Sequence, residues 1–485
     1  MMKDIYVQHS AIVVPDYELG ECEKLEGLLS MWDAERYRFK PIGFYYDEET
    51  RTLYLPRALD VSYVERLLGR KVTVQYDADP RDTTVIKLTT EPRNDLQRKS
   101  IAFLTGEGEF RHNQKRSQMA LTLSTGAGKT YCTVAAISLY RTKSIIMTHN
   151  DNIKKQWYDA FIEHSNVDPT EICNVEGSKI MNKIMNATKL PYKVYIVNRQ
   201  TLNSYGKRYG WDKVREFFKK IAVGVKVYDE AHIEFRTILK IDFYSNVYKT
   251  FYLTANFERS DPNENRIFKL AFSTIIKYGD ESIDVMTKNI IYMPVFFNSY
   301  PTYQQRASMK TIRGLDRNKY ADYLVNNEYY HRTLRKLMPT ISKTFTDGKI
   351  LFMSTTINAT EKLKGFLEGE YDISVALYNS KIDDQEKAKA LESRFISSTP
   401  KSLGTGTDIP LLRIVVNSEP YRSAVTANQV SGRLRYHNDS KYSFYIELID
   451  EGFPECVKMY KARQKVFNKK CAKIKEVRLI DDGGY

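Results

Sequence analysis

Between residues 119 and 254 five short apolar runs, MALTL, SIIMT, VYIV, VKVYD and TFYLT, alternate with longer stretches such as KTYCTVAAISLYR and NIKKQWYDAFIEH. Runs this short, apolar throughout and free of polar alternation, are strands buried on both faces, and the stretches between them carry helical spacing. Strands separated by helices must cross over, so the region is expected to form a parallel sheet between helical layers. A second series begins near Lys349, with KILFM, ISVALY, RIVVN and YSFYIEL as strands and ATEKLKGFL, DQEKAKALESRF and AVTANQVSGRL as helices. A chain of 485 residues has room for both sheets and more. The expected class is α/β with two parallel-sheet domains in tandem.

The boundaries follow the same rhythm. Residues 1–90 are expected to form a small α+β accessory domain, with aromatic strands in YRFKPIGFYYDEETRTLYLP and one helix at SYVERLLG. Residues 91–285 form the first sheet domain, 286–348 a helical connector and 349–455 the second sheet domain. Residues 456–485 read as one basic helix, CVKMYKARQKVFNKKCAKIKEV, for which a solvated face competes with a polyanion contact.

Charge and cysteine usage narrow the function classes. Lys and Arg number 74 against 60 Asp and Glu, a net +14 on a chain that is 42% hydrophobic, so the excess sits on a folded protein and favours polyanions. The five cysteines show no C-x-x-C spacing and do not cluster with the seven histidines, which argues for a reducing compartment and against structural zinc. The longest apolar run, residues 290–297, is far too short to span a bilayer, and the first residues lack a signal-peptide core. A cytoplasmic location and no membrane partner are expected.

Two motifs carry chemistry. The strand MALTL runs into STGAGKT, with a helix opening at the lysine. Glycines there let backbone N–H groups converge on phosphate oxygens, and the helix start adds positive potential. Ser124, Thr125, Gly126, Ala127, Gly128, Lys129 and Thr130 are therefore candidate nucleotide contacts, with Lys129 on the β and γ phosphates and Thr130 on magnesium. The strict eight-residue pattern asks for glycine where Leu123 stands. About a hundred residues later VKVYDEAH ends a strand with Asp229 and Glu230. Hydrolysis needs one carboxylate to hold a metal and another to activate water, so Asp229 is the metal candidate and Glu230 the base.

With LTAN on the next strand and QVSGRLR in the second domain, these motifs resemble superfamily 2 helicases and translocases of the DEAH-lettered kind, over roughly residues 91 to 452. The resemblance implies two tandem RecA-like domains with a small N-terminal α+β domain and a basic C-terminal helix, and ATP and Mg2+ as cofactors. It implies that Gln97, in EPRNDLQRKSI, reads the adenine edge. Thr148, His149 and Asn150 in IIMTHN, and Asn198 and Arg199 in VNRQTL, stand where the first domain touches the nucleic-acid backbone. In the second domain ILFMSTT supplies Ser354 and Thr355, and SLGTGTDIP supplies Thr405, Gly406 and Asp408. The first four of these are nucleic-acid candidates, and Asp408 is a nucleotide candidate.

Within the superfamily, LTANFERSD resembles the XPB segment with its R-E-D triplet, matched at Arg259 and Asp261 but not Ser260, and Arg259 joins the nucleic-acid candidates. AERYRFKPIGFYYDEETRTLYL resembles the opening of phage UvsW-type enzymes. That branch implies branch migration, fork regression and unwinding of branched DNA, in recombination, replication or repair, as in T5-like phages. Branched or forked DNA is thus the expected partner, and a monomer the expected state.

Two departures stand out. Asn256 replaces the usual Thr or Ser of the third motif. The sixth motif, Q-x-x-G-R-x-x-R in the family, keeps Gln429, Gly432 and Arg433 but has Tyr436 in the second arginine's place, with Arg435 one residue early. On a helix Gln429, Arg433 and Tyr436 share a face and Arg435 points away. The family's arrangement implies that Gln429 and Arg433 face the γ phosphate, with Arg433 offsetting transition-state charge. Arg435 is a displaced second finger or a structural residue. Three functional readings fit: a DNA helicase, an RNA helicase or non-unwinding duplex translocase, and an ATP-gated nucleic-acid clamp.

Overall fold

The computed structural model describes the chain except residues 1–3, 34–36, 76–83, 85, 124–125, 256, 260, 280–289, 312–313, 345, 347, 404–408, 420–433, 435–441 and 480–485. It divides into two compact units, Met1–Asp280 and Glu281–Tyr485.

In the first unit seven parallel strands run, edge to edge, as Ile172–Val175, Val194–Asn198, Ser144–Thr148, Val225–Asp229, Lys249–Leu253, Gln118–Leu121 and Ile276–Tyr278. The five runs expected as strands are all present, and the two outermost strands are additions. Helices Lys129–Tyr140 and Asp151–His164 follow the strands whose ends they leave. Asn150 caps the second, its Oδ1 accepting the Ile153 N–H at 3.0 Å.

A five-stranded sheet precedes this one, in the order Tyr45–Asp47, Thr52–Pro56, Ala11–Val14, Ile5–Val7, Val72–Val74. Both of its faces are covered, and the strand Thr52–Pro56 shows how. Leu53 and Leu55 enter the small domain's own core, while Tyr54, pointing the other way, stacks on Tyr244 of the large sheet's layer at 6.0 Å. A buried ion pair reinforces the junction. Lys226, inside the strand that ends at Asp229, places its ammonium 2.5 Å from Asp242 and 3.0 Å from the Ser10 hydroxyl of the small sheet. Tyr228 and Tyr252 donate to the two Asp242 oxygens at 2.7 and 2.6 Å. With every charge partnered, the pair is tolerated where an isolated one would not be.

In the second unit parallel strands run as Val375–Tyr378, Phe395–Ser398, Lys349–Met353, Leu412–Asn417, Ser443–Asp450, Ile290–Phe297 and Lys473–Ile474, with Val477–Arg478 also paired to Ile290–Phe297. Alternate residues of one strand feed two cores: Ile350 and Phe352 one, Leu351 and Met353 the other. The fold is thus two tandem RecA-like parallel-sheet domains with a small N-terminal sheet domain.

Three sequence expectations need correcting. Residues 290–297, taken into a helical connector, are a strand inside the second sheet; an apolar run of this length has no periodicity to separate strand from helix. Pro294 explains its two short neighbours, because it falls between the rungs to Ile474 and Val477, where it has no N–H to give. The C-terminal helix stops at Lys470, and the next residues pair with Ile290–Phe297. Nor is that helix simply solvated, since Arg463 is buried and donates to Glu447 Oε1 at 2.7 Å. The expected helix DQEKAKALESRF ends at Glu392, and Phe395 opens a strand. The expected helix AVTANQVSGRL lies almost wholly outside the described residues.

Candidate active site

The site grows from three strand ends of the first sheet, those of Gln118–Leu121, Val225–Asp229 and Lys249–Leu253, which lie side by side. Past the first of them the chain turns into helix Lys129–Tyr140 through Gly126 and Gly128, whose φ angles of 85° and 95° suit glycine. Gly128 has a second reason to lack a side chain: a Cβ there would lie 2.2 Å from Gln97 Nε2. Gln97 is buried, accepts the Arg93 N–H on Oε1 at 2.8 Å, and places Nε2 3.5 Å from the Ala127 carbonyl. It is therefore bound to the glycine loop itself. Lys129 donates to the Leu123 carbonyl at 2.8 Å, so the ammonium folds back over the loop. Thr130 follows in the first helical turn, half-buried.

Opposite stand the acidic residues. Asp229 ends its strand with Oδ2 accepting the Trp157 indole N–H at 2.8 Å and Oδ1 accepting the Glu230 N–H at 2.9 Å. Glu230 takes a left-handed φ of 49°, turning its carboxylate toward His232, whose Nδ1 lies 3.2 Å from Oε2. The same nitrogen lies 2.8 Å from the Thr254 hydroxyl at the end of the neighbouring strand. Burial and the adjacent Glu230 charge raise the Asp229 pKa. Burial acts against the Glu230 charge too, yet His232, Lys129 and His149 outweigh it and draw the pKa down to about 2. Lys129 favours the charged form of both carboxylates, so the three form one electrostatic unit.

A magnesium nucleotide fits these residues. The cradle is kept open by a glycine whose Cβ would meet Gln97, an ammonium lies over the loop, and two half-buried carboxylates stand at the end of the next strand but one. Thr130 and Asp229 are the residues that would hold the cation.

Several expected nucleic-acid contacts are placed otherwise. Arg199 is fully buried, 3.5 Å from the Glu230 carbonyl and 3.7 Å from Glu234 Oε2, so it backs the acidic loop and does not face a phosphate backbone. Thr148 is buried and donates to the Asn150 carbonyl at 3.1 Å. Arg259 donates to the His232 carbonyl and forms an ion pair with Glu264 at 2.7 Å, locking the acidic loop to helix Pro262–Ala271. These side chains are engaged by burial or by protein partners that motif position does not reveal. Asn198 caps the helix Arg199–Tyr209 and stays partly exposed beside partly exposed His149 and Asn150. His149 has its pKa pushed down to about 4, by burial first and then by the Arg199 charge.

In the second unit Ser354 and Thr355 converge on one buried carboxylate. Ser354 Oγ donates to Glu419 Oε1 at 2.6 Å, and Thr355 donates to Oε2 through both N–H and hydroxyl at 2.9 Å. Arg317 adds a bond to the Thr355 hydroxyl at 2.9 Å. Ser354 is buried and Thr355 half-buried. Ser124, Thr125, Asn256, Ser260, Thr405, Gly406, Asp408, Gln429, Arg433 and Arg435 lie outside the described residues.

Sequence reasoning missed Trp157, Thr254, Glu264, Arg317 and Glu419. Trp157 sits on the apolar face of its helix and looks like core. Glu419 is one acid among many in sequence and becomes special only because it is buried under two hydroxyls.

Residues 86–259 match the family model described as "Type III restriction enzyme, res subunit". The transcript termination protein A18 of Yaba monkey tumor virus is 24% identical over 67% of this chain and 66% of its own length. The DNA 3'-5' helicase XPB of Kineococcus radiotolerans is 25% identical over 31% of this chain and 25% of its own length. This chain thus spans about two thirds of the viral relative and a quarter of the bacterial one. Among solved structures, S. cerevisiae Dbp5 bound to RNA and ADP BeF3 aligns with 80% of this chain and 90% of its own, at 16% identity and TM-score 0.51, a likeness of fold. The family match and the XPB relative, set on the tandem RecA-like fold, support a superfamily 2 helicase. No helix among the described residues is long and apolar enough to cross a membrane.

Proposed function

We propose that this protein is an ATP-hydrolysing motor that moves on DNA and remodels branched or forked duplexes, by unwinding, branch migration or fork regression. The observation that carries the reading is the unit of Lys129, Asp229 and Glu230 at adjoining strand ends, with His232 joining Glu230 to Thr254. Bound magnesium nucleotide supplies the scissile anhydride and a cation that offsets its charge. Glu230, held ionised, orients the attacking water and takes its proton. Lys129 balances negative charge at the loop, and Asp229 is kept in position by Trp157. His232 reports the state of Glu230 to the third motif at Thr254, a route by which hydrolysis is linked to grip on the strand. In the second domain Gln429, Arg433 and Asp408 are proposed as nucleotide residues, with Arg435 either a displaced second finger or a structural residue.

The preference for DNA rests on the likeness to XPB, whose name states a DNA helicase, while the net charge of +14 suits either nucleic acid. A second reading follows from the two viral relatives, of Yaba monkey tumor virus and Yaba-like disease virus, named for transcript termination and 24–25% identical over 67–70% of this chain. In it the motor acts where RNA is made. ATP turnover measured with single-stranded DNA, duplex, four-way junction and RNA as stimulants, beside Lys129→Ala, separates the two. Stimulation greatest with the junction supports remodelling, and stimulation by RNA alone overturns it.

A further inference from the structure

Among the described aromatic residues of the small domain, Tyr17, Phe44 and Tyr54 are buried and Tyr6, Tyr45, Tyr46 and Tyr63 half-buried, but one group is exposed. Strands Ser30–Asp33 and Arg38–Pro41 pair antiparallel as a two-stranded sheet of their own, with Trp32 directly opposite Phe39. The two rings meet edge to face at 5.3 Å, yet Trp32 remains 50% exposed, Phe39 63% and the adjoining Tyr37 82%. Met31, one residue from Trp32 and so on the opposite face, packs against the core of the large sheet. The hairpin therefore rests through Met31 on that face, where Lys40 stands opposite it and stays exposed, and leaves three large rings on or beside the other. Burial drives folding, so an exposed aromatic cluster on a domain with a complete core marks a contact surface.

The root of the hairpin is firmly held. Arg266 donates to the carbonyls of Leu28 and Ser30 at 2.9 and 3.1 Å, and the N–H groups of Ile42 and Gly43 both bond the Leu29 carbonyl. Gly43 is pressed against this root, since a Cβ there would lie 2.8 Å from Leu29 Cδ2. Arg266 belongs to helix Pro262–Ala271, whose Glu264 holds Arg259 on the acidic loop. The exposed rings are thus mounted on the same helix that braces the hydrolytic site.

We infer that this hairpin is a stacking platform for nucleobases, with Trp32 and Phe39 taking the faces of unpaired bases in a single strand. The occupant is identified by chemistry: Arg38 and Lys40, both exposed, flank Phe39 on its strand and offer cations at the edge of the ring pair, and Arg38 stands opposite Asp33 in the register. Aromatic faces interleaved with basic side chains suit a strand whose bases are splayed and whose phosphates are solvated. Stacking is tolerant of sequence, as a moving motor requires. This assignment rests on the reading of the protein as a nucleic-acid motor.

The test uses the full chain with three probes of equal length: oligo-dT, oligo-U and a blunt DNA duplex. Of the three tryptophans, Trp157 is buried and Trp211 half-buried, so strand-dependent quenching lost in Trp32→Phe reports stacking at Trp32. The expected result is such quenching by oligo-dT or oligo-U, the more effective one naming the strand. Trp32→Ala with Phe39→Ala should weaken that strand about tenfold or more, without changing the slope of affinity against salt. Single-strand binding with no Trp32 quenching, or with undiminished affinity in the double variant, overturns the platform and leaves the motor standing. Failure of the unaltered protein to bind any of the three probes overturns the motor reading itself.

Discussion

The indole N–H of Trp157 donates to Asp229 Oδ2 at 2.8 Å, so a residue of helix Asp151–His164 orients the carboxylate that ends the central strand Val225–Asp229. Such a bond fixes which oxygen faces the site and offsets part of the cost of burying a charge. Trp157→Phe keeps most of the ring and removes the donor. It should raise the magnesium concentration needed for ATP turnover about tenfold, read from a magnesium titration at fixed ATP. An unchanged requirement would mean that Trp157 does not position Asp229 for the metal.

Gly128→Ala should remove nucleotide binding. The left-handed φ of 95° costs a side chain about 1–2 kcal/mol, and the new methyl group meets Gln97 Nε2 at 2.2 Å. Shortening Gln97 to alanine in the same chain relieves the collision but not the backbone cost, so affinity for a fluorescent ATP analogue should return only in part.

Arg259→Ala distinguishes a bracing role from a phosphate contact. The structure has Arg259 tied to Glu264 and the His232 carbonyl. The expected outcome is slower hydrolysis, by about tenfold, with the salt slope of nucleic-acid affinity unchanged. Loss of a phosphate contact would instead reduce that slope by about one.

His149 gives the first unit a pH dependence of known sign. Its folded pKa lies near 4, below the ordinary histidine value of 6.5, because burial and the Arg199 charge disfavour the proton. Between those values the unfolded chain binds more protons than the folded one, so stability rises with pH through this window and falls on acidification. The slope is at most about 1.4 kcal/mol per pH unit. Urea midpoints of the unaltered protein and His149→Gln, measured from pH 7 to 4.5, should converge as pH falls, since the variant lacks this titration.

Much of the fold could be read directly. The five apolar runs of the first sheet domain are strands because each has no polar side to present to water, and the glycine loop and the Asp229–Glu230 pair follow from where strands end. What failed was pairing and burial, most of all where the partner lies far along the chain. Ile290–Phe297 is a strand because Ser443–Asp450 lies beside it, and nothing within that apolar run states its partner. Arg199, Arg259, Ser354 and Thr148 sit in motif positions that suggest contact with nucleic acid, yet Arg199 and Thr148 are buried, Arg259 pairs with Glu264 and Ser354 donates to the buried Glu419.

Conversely, Trp32 and Phe39 were two aromatics among many until pairing set them opposite each other on an exposed face. Sequence by itself determined the local chemistry: periodicity, turn glycines, and which acids and bases could serve. Tertiary structure alone decided exposure and partnership, because both depend on which distant segments exclude water from a side chain, and no local pattern encodes that.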